Sequence, residues 1–203
     1  MAGRSLKWLP WAVAAGAGVP AVNLVVSAAT GHLGANPVEA ALNRLGLTTL
    51  VFLLATLACT PVRLVTGWTW PARVRRTLGL SAFAYATLHL SFYVGMDQGL
   101  DFAAVARDIG ARKFQWAGLA AYLSLVPLAL TSTNSSVRRL GFLRWQRLHR
   151  LAYAAGVLGV FHFFLRVKRD VTEPALYAAV LGALFLVRGV FAVRKQRAAA
   201  ARK

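Results

Sequence analysis

Long apolar runs constrain this chain more than any other feature of its sequence. A helix needs about 20 mostly apolar residues to cross the hydrocarbon core of a bilayer, and several runs approach that length. At 58% hydrophobic residues over 203 positions, the chain is too apolar for an ordinary soluble domain. We identify six candidate spans, at about residues 8–28, 44–61, 78–95, 114–131, 149–166 and 175–193.

The character of these runs predicts helices. Lipid offers no hydrogen bonds to the backbone, so a spanning segment has to be a helix or part of a closed barrel. The runs lack the alternation of barrel strands and are too long for them. The connecting segments are short. We therefore expect an all-α integral membrane bundle of six transmembrane helices, forming a single domain over residues 1–203.

The distribution of charge predicts the orientation of the bundle. Six spans place both termini on one side, and most of the 24 Lys and Arg residues lie on that side, whereas all six acidic residues lie on the other. By the positive-inside rule, both termini are cytoplasmic. The net charge of +18 then reflects topology and contact with anionic membrane lipid. We find no nucleic-acid-binding module.

The motif content excludes several classes of function. The single cysteine, Cys59, rules out an internal disulfide and a CxxC site, and we interpret it as a small buried residue. The sequence contains no phosphate loop, zinc motif or nucleophile elbow. It also shows no constellation of catalytic acid, base and nucleophile, which favours an electron-transfer or binding subunit over an enzyme with its own active site.

Two histidines lie inside the apolar runs. His89 and His162 fall near the outer ends of the third and fifth spans, which run in the same direction. An ionisable residue inside a membrane is costly and marks a candidate functional site. Two imidazoles at matched depth on parallel helices suit the axial ligation of a low-spin haem iron. The simpler alternative is that the two are unrelated polar packing residues.

Small residues follow one helix face below each histidine, because steps of three and four residues stay on one side of a helix. A porphyrin between two helices needs such a recess, so we predict that these residues form it. Ordinary small-residue packing of membrane helices is the alternative. The predicted haem recess consists of Gly79, Ala82, Ala86, Ala152, Ala155 and Gly159.

A second pair is predicted at the inner ends of the same helices. Arg76 and His149 each precede a histidine by 13 residues, so they should approach each other if His89 meets His162. Arginine does not ligate iron but suits a quinone head group or a flavin phosphate. Lipid headgroup contact, or a second haem on His149, are alternatives. We interpret His32 as a solvated loop residue, with contact to a partner or a haem propionate as the alternative.

Four stretches resemble a known family. They are similar to the MsrQ (YedZ) family, the haem-binding membrane subunits of the bacterial periplasmic methionine sulfoxide reductase system, within the ferric-reductase-like transmembrane group. The TSTN turn followed by WQRLHRL is the most specific part of the resemblance. The stretches are GHLGANPVEAALNRLG (31–46), LATLACTPVR (54–63), RRTLGLSAFAYATLHLSFYV (75–94) and LALTSTNSSVRRLGFLRWQRLHRLAYAAGVLGVFHF (128–163).

The resemblance implies a cofactor set and a path for electrons. It implies haem b held by His89 and His162, with His149 also involved in cofactor binding, and FMN as a further cofactor. It implies electrons taken from the quinone pool or from a cytosolic flavin reductase. The recipient would be a periplasmic molybdopterin enzyme that reduces methionine sulfoxide in oxidised proteins, and the location would be the bacterial inner membrane.

Two other functions stay open at this point. A transmembrane metalloreductase, or another cytochrome b subunit, would share the haem pair but use a different acceptor. The absence of an attached flavin or NAD domain argues against a self-sufficient reductase. A haem-free transporter is an alternative of a different class, which discontinuous helices with paired half-spans would favour. We see none in the sequence, although Pro127 is a candidate kink in the fourth span.

Overall fold

The structure is a computed structural model that describes residues 6–201, and every regular element in that range is helical. The all-α prediction is confirmed. A π-helical turn, Tyr93–Asp97, continues directly from the third helix. The α-helices of the described range are α1 (Leu9–Ala29), α2 (Pro37–Thr66), α3 (Trp70–Phe92), α4 (Phe102–Ala111), α5 (Lys113–Leu130), α6 (Asn134–Leu140), α7 (Phe142–Leu148), α8 (Leu151–Arg166) and α9 (Thr172–Ala200).

Several of these helices are suited to a membrane. Within residues 6–201, helices α1, α2 and α9 and the α7–α8 run (Phe142–Arg166) are long and apolar enough to cross one. Helices α5 and α6 give a fifth candidate if they count as one span bent by 92°. Helix α3, whose first two turns carry Arg73, Arg75 and Arg76, does not reach the same hydropathy. The chain is therefore a membrane protein with four or five candidate spans, and the count of six stays a prediction.

Helix α2 shows why the helices extend beyond the predicted spans. It begins with Pro37 in the first turn, where proline is tolerated, and the Asn36 side chain accepts a hydrogen bond from the Glu39 amide at 3.2 Å. It continues through Pro61 and ends at Gly67, which has a φ of 73°. The predicted end at residue 61 was therefore wrong, because a left-handed glycine, and not the proline, terminates this helix.

Helix α2 packs against α1, α3, α8 and α9 and, like α8, contributes to both apolar clusters. Its Leu53 joins the first cluster, and its Leu50, Leu54 and Leu57 join the second with Val160 and Leu181. Many large apolar side chains point outward on the other helices, including Trp11 and Leu130, which are 79% and 72% exposed. Such a surface is costly in water and is the ordinary surface of a protein in lipid. The first cluster consists of Leu53, Ala82, Ala86, Leu125, Leu128 and Ala155.

Helix α1 is attached through the buried Tyr85 of α3. The Tyr85 hydroxyl donates to the Ala17 carbonyl at 2.6 Å and accepts from the Ala21 amide at 3.0 Å. In an unbroken helix these two groups would bond to each other. The hydroxyl therefore inserts into the ladder of α1 next to Pro20, which already removes one of its hydrogen bonds.

The two ends of the bundle differ in charge. We call the acidic end the one formed by residues 30–44, 93–115 and 165–175, because each of these ranges contributes residues to the lining of one common cavity. We call the arginine end the one formed by residues 57–77, 131–150 and 188–201, which are joined by hydrogen bonds between helices. All six Asp and Glu residues lie at the acidic end.

Helix α4 belongs to the acidic end and connects the π-helical turn to α5. Asp101 caps it by accepting hydrogen bonds from the amides of Ala103 and Ala104 at 2.9 Å each. Asp108 then ties it to its neighbours. Its carboxylate accepts from the Tyr93 hydroxyl at 2.7 Å and from the Gln115 amide at 2.9 Å, and it pairs with Arg112 at 2.7 Å.

Candidate functional site

The structure brings His89 of α3 and His162 of α8 together near the acidic end. Their ring centroids lie 6.3 Å apart, and the ring planes are 85° from parallel. Helix α3 packs along α2, and α8 packs along α5. The two histidines therefore meet between two helix pairs, at the matched depth that their positions in the sequence predicted.

A backbone carbonyl holds each ring in the same way. The Nδ1 atom of His89 lies 3.0 Å from the Leu42 carbonyl of α2, and the Nδ1 of His162 lies 2.7 Å from the Phe114 carbonyl of α5. A carbonyl can only accept, so each Nδ1 carries the proton in these bonds. The Nε2 lone pair of each neutral imidazole is then available to a metal.

A glycine makes room for each ring, four residues after the carbonyl that the ring contacts. A Cβ atom on Gly46 would lie 3.2 Å from His89 Cε1, and one on Gly118 would lie 2.7 Å from His162 Nδ1. Positions four apart in a helix are on one face, so each partner helix presents a carbonyl and a glycine to the same ring. Sequence reasoning missed these residues, since it followed small residues only on the helices that carry the histidines.

The two rings border a cavity of about 640 Å³, a volume typical of cofactor pockets. Its inner walls are apolar and include Leu50, Leu53 and Leu125. Toward the acidic end it is lined by basic side chains among carboxylates, and Arg166 lies 3.7 Å from Glu39 across this region. The basic residues of the lining are Arg44, Arg112 and Arg166.

The predicted recess residues fall in two places. Ala82 is fully buried beside Leu53 in the first apolar cluster, and Ala152 packs against that cluster. Gly79 faces α2, where a Cβ atom would lie 3.5 Å from the Thr56 methyl carbon. The three that line the cavity are Ala86, Ala155 and Gly159.

The arrangement of the pair fits a haem iron. Metal–imidazole bonds of about 2 Å place the centroids of two opposed ligands about 6 Å apart, and the observed separation is 6.3 Å. Among the described residues there is no group of three or more His, Cys, Asp or Glu side chains that could hold a bare metal ion. A metal at this pair would therefore take its remaining ligands from a prosthetic group such as a porphyrin.

Arg76 and His149, the pair predicted at the inner ends of the helices, contact a single turn at the arginine end. Arg76 donates to the Asn134 side chain at 3.2 Å. His149 Nε2 lies 3.1 Å from the Thr131 hydroxyl, and its ring centroid lies 4.0 Å from that of Trp145. Residues 131–134 thus receive both side chains, each at a different residue of the TSTN turn.

Two smaller predictions concern His32 and Pro127. His32 is exposed, as predicted for a solvated loop residue, and its Nδ1 lies 2.7 Å from the Thr30 hydroxyl. Pro127 lies inside α5, which continues to Leu130. The sharp bend falls after α5, in the TSTN turn, so the proline is not its site.

Comparison with known proteins identifies the class of membrane protein to which the chain belongs. A family model described as the ferric reductase like transmembrane component matches residues 42–160. This is more than half of the chain, and it includes His89 and ends just before His162. The fold and the matched residues define a ferric-reductase-like transmembrane protein.

Individual relatives narrow that class to one family. Each of the following relatives is named a protein-methionine-sulfoxide reductase heme-binding subunit MsrQ. The one from Rhodospirillum rubrum is 55% identical over 82% of this chain and 80% of its own length. Those from Deinococcus radiodurans and Ralstonia nicotianae are 47% and 46% identical, over 89% and 91% of this chain and 89% and 85% of their own lengths. The chain belongs to the MsrQ family, which confirms the resemblance found in its sequence. No solved structure matches it.

Proposed function

We propose that this chain is a haem b electron-transfer subunit in which His89 and His162 are the axial ligands of the iron. The observation that carries the proposal is the pair of rings 6.3 Å apart, each with Nδ1 held by a carbonyl and Nε2 available. The names of the relatives include heme binding, which agrees with it. When bound, the haem supplies one-electron chemistry between ferric and ferrous iron.

The side chains and backbone around His89 and His162 have three roles in this proposal. The Leu42 and Phe114 carbonyls fix the tautomer of each histidine and raise the basicity of the ligating nitrogen. The apolar walls exclude water from the iron. The guanidinium groups of Arg44, Arg112 and Arg166 at the acidic end offset the negative charge of the haem carboxylates.

The proposed topology has six spans with both termini in the cytoplasm of a bacterium and the bundle in its inner membrane. Helix α3 supplies the sixth crossing, supported by its packing along α2 and by its histidine, which meets that of α8. The carboxylates at one end and the excess of arginines at the other support the orientation. The histidine pair then lies toward the periplasm.

The proposed partners follow from this orientation and from the family. The chain takes electrons from the quinone pool, or from a cytosolic flavin reductase, and passes them to a periplasmic, molybdopterin-containing methionine sulfoxide reductase that repairs oxidised proteins. Arg76 and His149, which share the TSTN turn, form the donor side. Their guest is a quinone head group or a flavin such as FMN, with a second haem as the alternative.

The first experiment is a reduced-minus-oxidised optical spectrum of the purified protein, with the haem quantified as its pyridine haemochrome. We expect a low-spin b-type spectrum that His89→Ala and His162→Ala each abolish, because either change removes one of the two ligands. His32→Ala, at an exposed histidine, is the matched control and should leave the spectrum unchanged. Normal haem content in both ligand variants would overturn the assignment. Wild-type protein without haem, after adequate supply, would favour the transporter alternative.

A second experiment addresses the donor side. Arg76→Ala should leave the haem spectrum intact and slow the reduction of the haem by quinol, since the change removes the cation that faces the TSTN turn. Arg73→Ala, an exposed arginine on the same helix, controls for general loss of charge. An unchanged rate in the Arg76 variant would remove this residue from the donor site.

The electron acceptor is tested separately. The reduced protein should be reoxidised by the periplasmic reductase only when that enzyme has methionine sulfoxide to reduce. Reoxidation by ferric chelates at a similar rate, without the reductase, would favour the metalloreductase alternative.

A further inference from the structure

Two arginines lie between helices at the arginine end, whereas the Asp and Glu side chains all lie at the acidic end. Arg75 belongs to α3 and Arg188 to α9. Each has a buried Nε atom that lacks a hydrogen-bond partner among residues 6–201. The ion pairs found in that range all lie at the acidic end, and neither arginine takes part in them.

Four helices converge on these two cations. Arg188 donates to the Tyr153 hydroxyl of α8 at 2.5 Å and to the Leu57 carbonyl of α2 at 2.6 Å. Its guanidinium carbon lies 5.0 Å from the centroid of the Tyr153 ring. Arg75 belongs to α3, which packs along α2, and it lies within electrostatic range of both the Cys59 thiol and Arg188. Both cations thus lie at one level along α2, that of residues 57–59.

This level along α2 matches the boundary between lipid tails and headgroups. Helix α3 begins at Trp70, and Trp68 and Trp70 are exposed, as is typical of anchors at the membrane interface. Arg75 is in the second turn of that helix. Beyond Arg188, helix α9 continues with exposed basic residues. They are Arg194, Lys195 and Arg197.

Two like charges in a partly buried, low-dielectric place are costly unless an anion neutralises them. All six Asp and Glu side chains are at the other end, so no acidic side chain among residues 6–201 neutralises the two arginines, and we look for an anion that approaches from the surrounding medium. The planar fork of a guanidinium matches phosphate, with two parallel hydrogen bonds. At this depth, phosphate groups belong to phospholipids.

We infer that Arg75 and Arg188, with the Tyr153 hydroxyl beside them, hold the phosphate of an anionic phospholipid from the leaflet at the arginine end. Basic pockets between transmembrane helices bind such headgroups. A zwitterionic lipid also offers a phosphate, but its ammonium group is repelled by the two cations. The inference depends only on these contacts and charges, and is independent of whether the chain binds haem.

The test is to count retained lipid and measure thermal stability in membranes of defined composition. The full chain is reconstituted into phosphatidylcholine nanodiscs with or without phosphatidylglycerol, and native mass spectrometry counts bound lipid after extraction. We expect the wild type to retain one phosphatidylglycerol and to gain unfolding temperature in its presence, because a ligand that binds only the folded state stabilises it. Both effects should be lost in the Arg75→Gln/Arg188→Gln variant.

The matched control is Arg194→Gln/Arg197→Gln, which removes the same charge from exposed positions of α9 and should keep both effects. Equal retention in the two double variants overturns the site. A parallel experiment distinguishes a soluble anion from a lipid: inorganic phosphate is added to the protein in lipid-free detergent, and the unfolding temperature is measured. If it raises the unfolding temperature with the same arginine dependence, and no lipid is retained, the anion is soluble and the lipid assignment falls.

If the double variant does not fold, the single change Arg75→Gln decides the question. It removes one guanidinium and leaves the two hydrogen bonds of Arg188 in place. Loss of the retained phosphatidylglycerol in this folded variant supports the site, and wild-type retention overturns it.

Discussion

Each candidate ligand depends on a residue of the helix that faces it, and Gly118 is the most sensitive of these. A methyl group there would lie 2.7 Å from His162 Nδ1, closer than real Cβ contacts allow, whereas the same change at Gly46 leaves 3.2 Å to His89. We expect Gly118→Ala to displace the His162 ring, at an overpacking cost of about 1–3 kcal/mol. The low-spin electron paramagnetic resonance signal should shift or be lost, together with part of the haem.

Two comparisons make this prediction specific. Gly46→Ala should shift the same signal less, since the ring has to yield by only a few tenths of an ångström. Gly182→Ala is the neutral control, because nothing lies within 4 Å of a Cβ atom there. A wild-type resonance signal in the Gly118 variant would show that this glycine does not position the ligand.

At the same residue scale, the histidine pair was predictable and its supports were not. The apolar runs in the sequence indicate how far along its helix each of His89 and His162 lies. These two positions correspond, and in the structure the two rings are neighbours. Which carbonyl and which glycine face them depends on the rotation and sliding of α2 and α5. Nothing in the periodicity of a single helix encodes that relation, so Gly46 and Gly118 had no signal in the sequence alone.

At the scale of elements, a break between two helices limits the prediction that was based on the equal spacing of Arg76 from His89 and of His149 from His162. The expected approach of Arg76 to His149 assumed that α3 and α8 run unbroken through both positions. Helix α3 does so, but α8 begins at Leu151 and His149 ends α7. An offset of 13 residues is therefore not carried by one continuous helix on both sides. The contacts that the structure gives these residues are with Asn134 and Thr131 of the TSTN turn, and their approach to each other stays a prediction.

Helix α4 gives a prediction for pH, through its cap. Hydrogen bonds from the amides of Ala104 and Ala103, with Arg107 nearby, hold the pKa of the Asp101 carboxyl below its ordinary value. A group whose pKa is lowered by folding stabilises the folded state fully above its unfolded pKa, and this contribution is lost as the pH falls through the folded pKa. Amide protection of α4 should therefore decrease as the pH falls below about 4.

Hydrogen exchange measured by mass spectrometry checks this, using protection factors so that the intrinsic pH dependence cancels. Asp101→Asn keeps an acceptor at the cap position and cannot titrate, so its protection should not change over the same pH range. Asp101→Ala should be poorly protected throughout. The wild-type pH dependence persisting in the Asn variant would assign the effect to another group.

At the scale of the whole molecule, charge and chemistry are separated along the bundle. The histidine pair and its cavity lie at the acidic end, whereas the predicted donor residues, with Arg75 and Arg188, lie at the arginine end. The sequence predicted this polarity because acidic and basic residues alternate between successive loops. It could not establish the number of crossings, since the arginines of α3 lower the hydropathy of a helix that is otherwise packed in the core.

The number of spans depends on whether α3 crosses the membrane. This crossing can be tested by measuring the accessibility of single cysteines placed at its two ends. In a Cys59→Ala background, Ser135→Cys and Lys168→Cys mark the arginine and acidic ends at exposed positions. Thr69→Cys and Met96→Cys mark the two ends of α3 and are also exposed. Because basic loops stay in the cytoplasm, an impermeant maleimide should label the Lys168 and Met96 variants in intact spheroplasts. The Ser135 and Thr69 variants should react only after permeabilisation. Equal labelling at both ends of α3 would reduce the number of crossings, and the reverse pattern at all four would turn the histidine pair toward the cytoplasm.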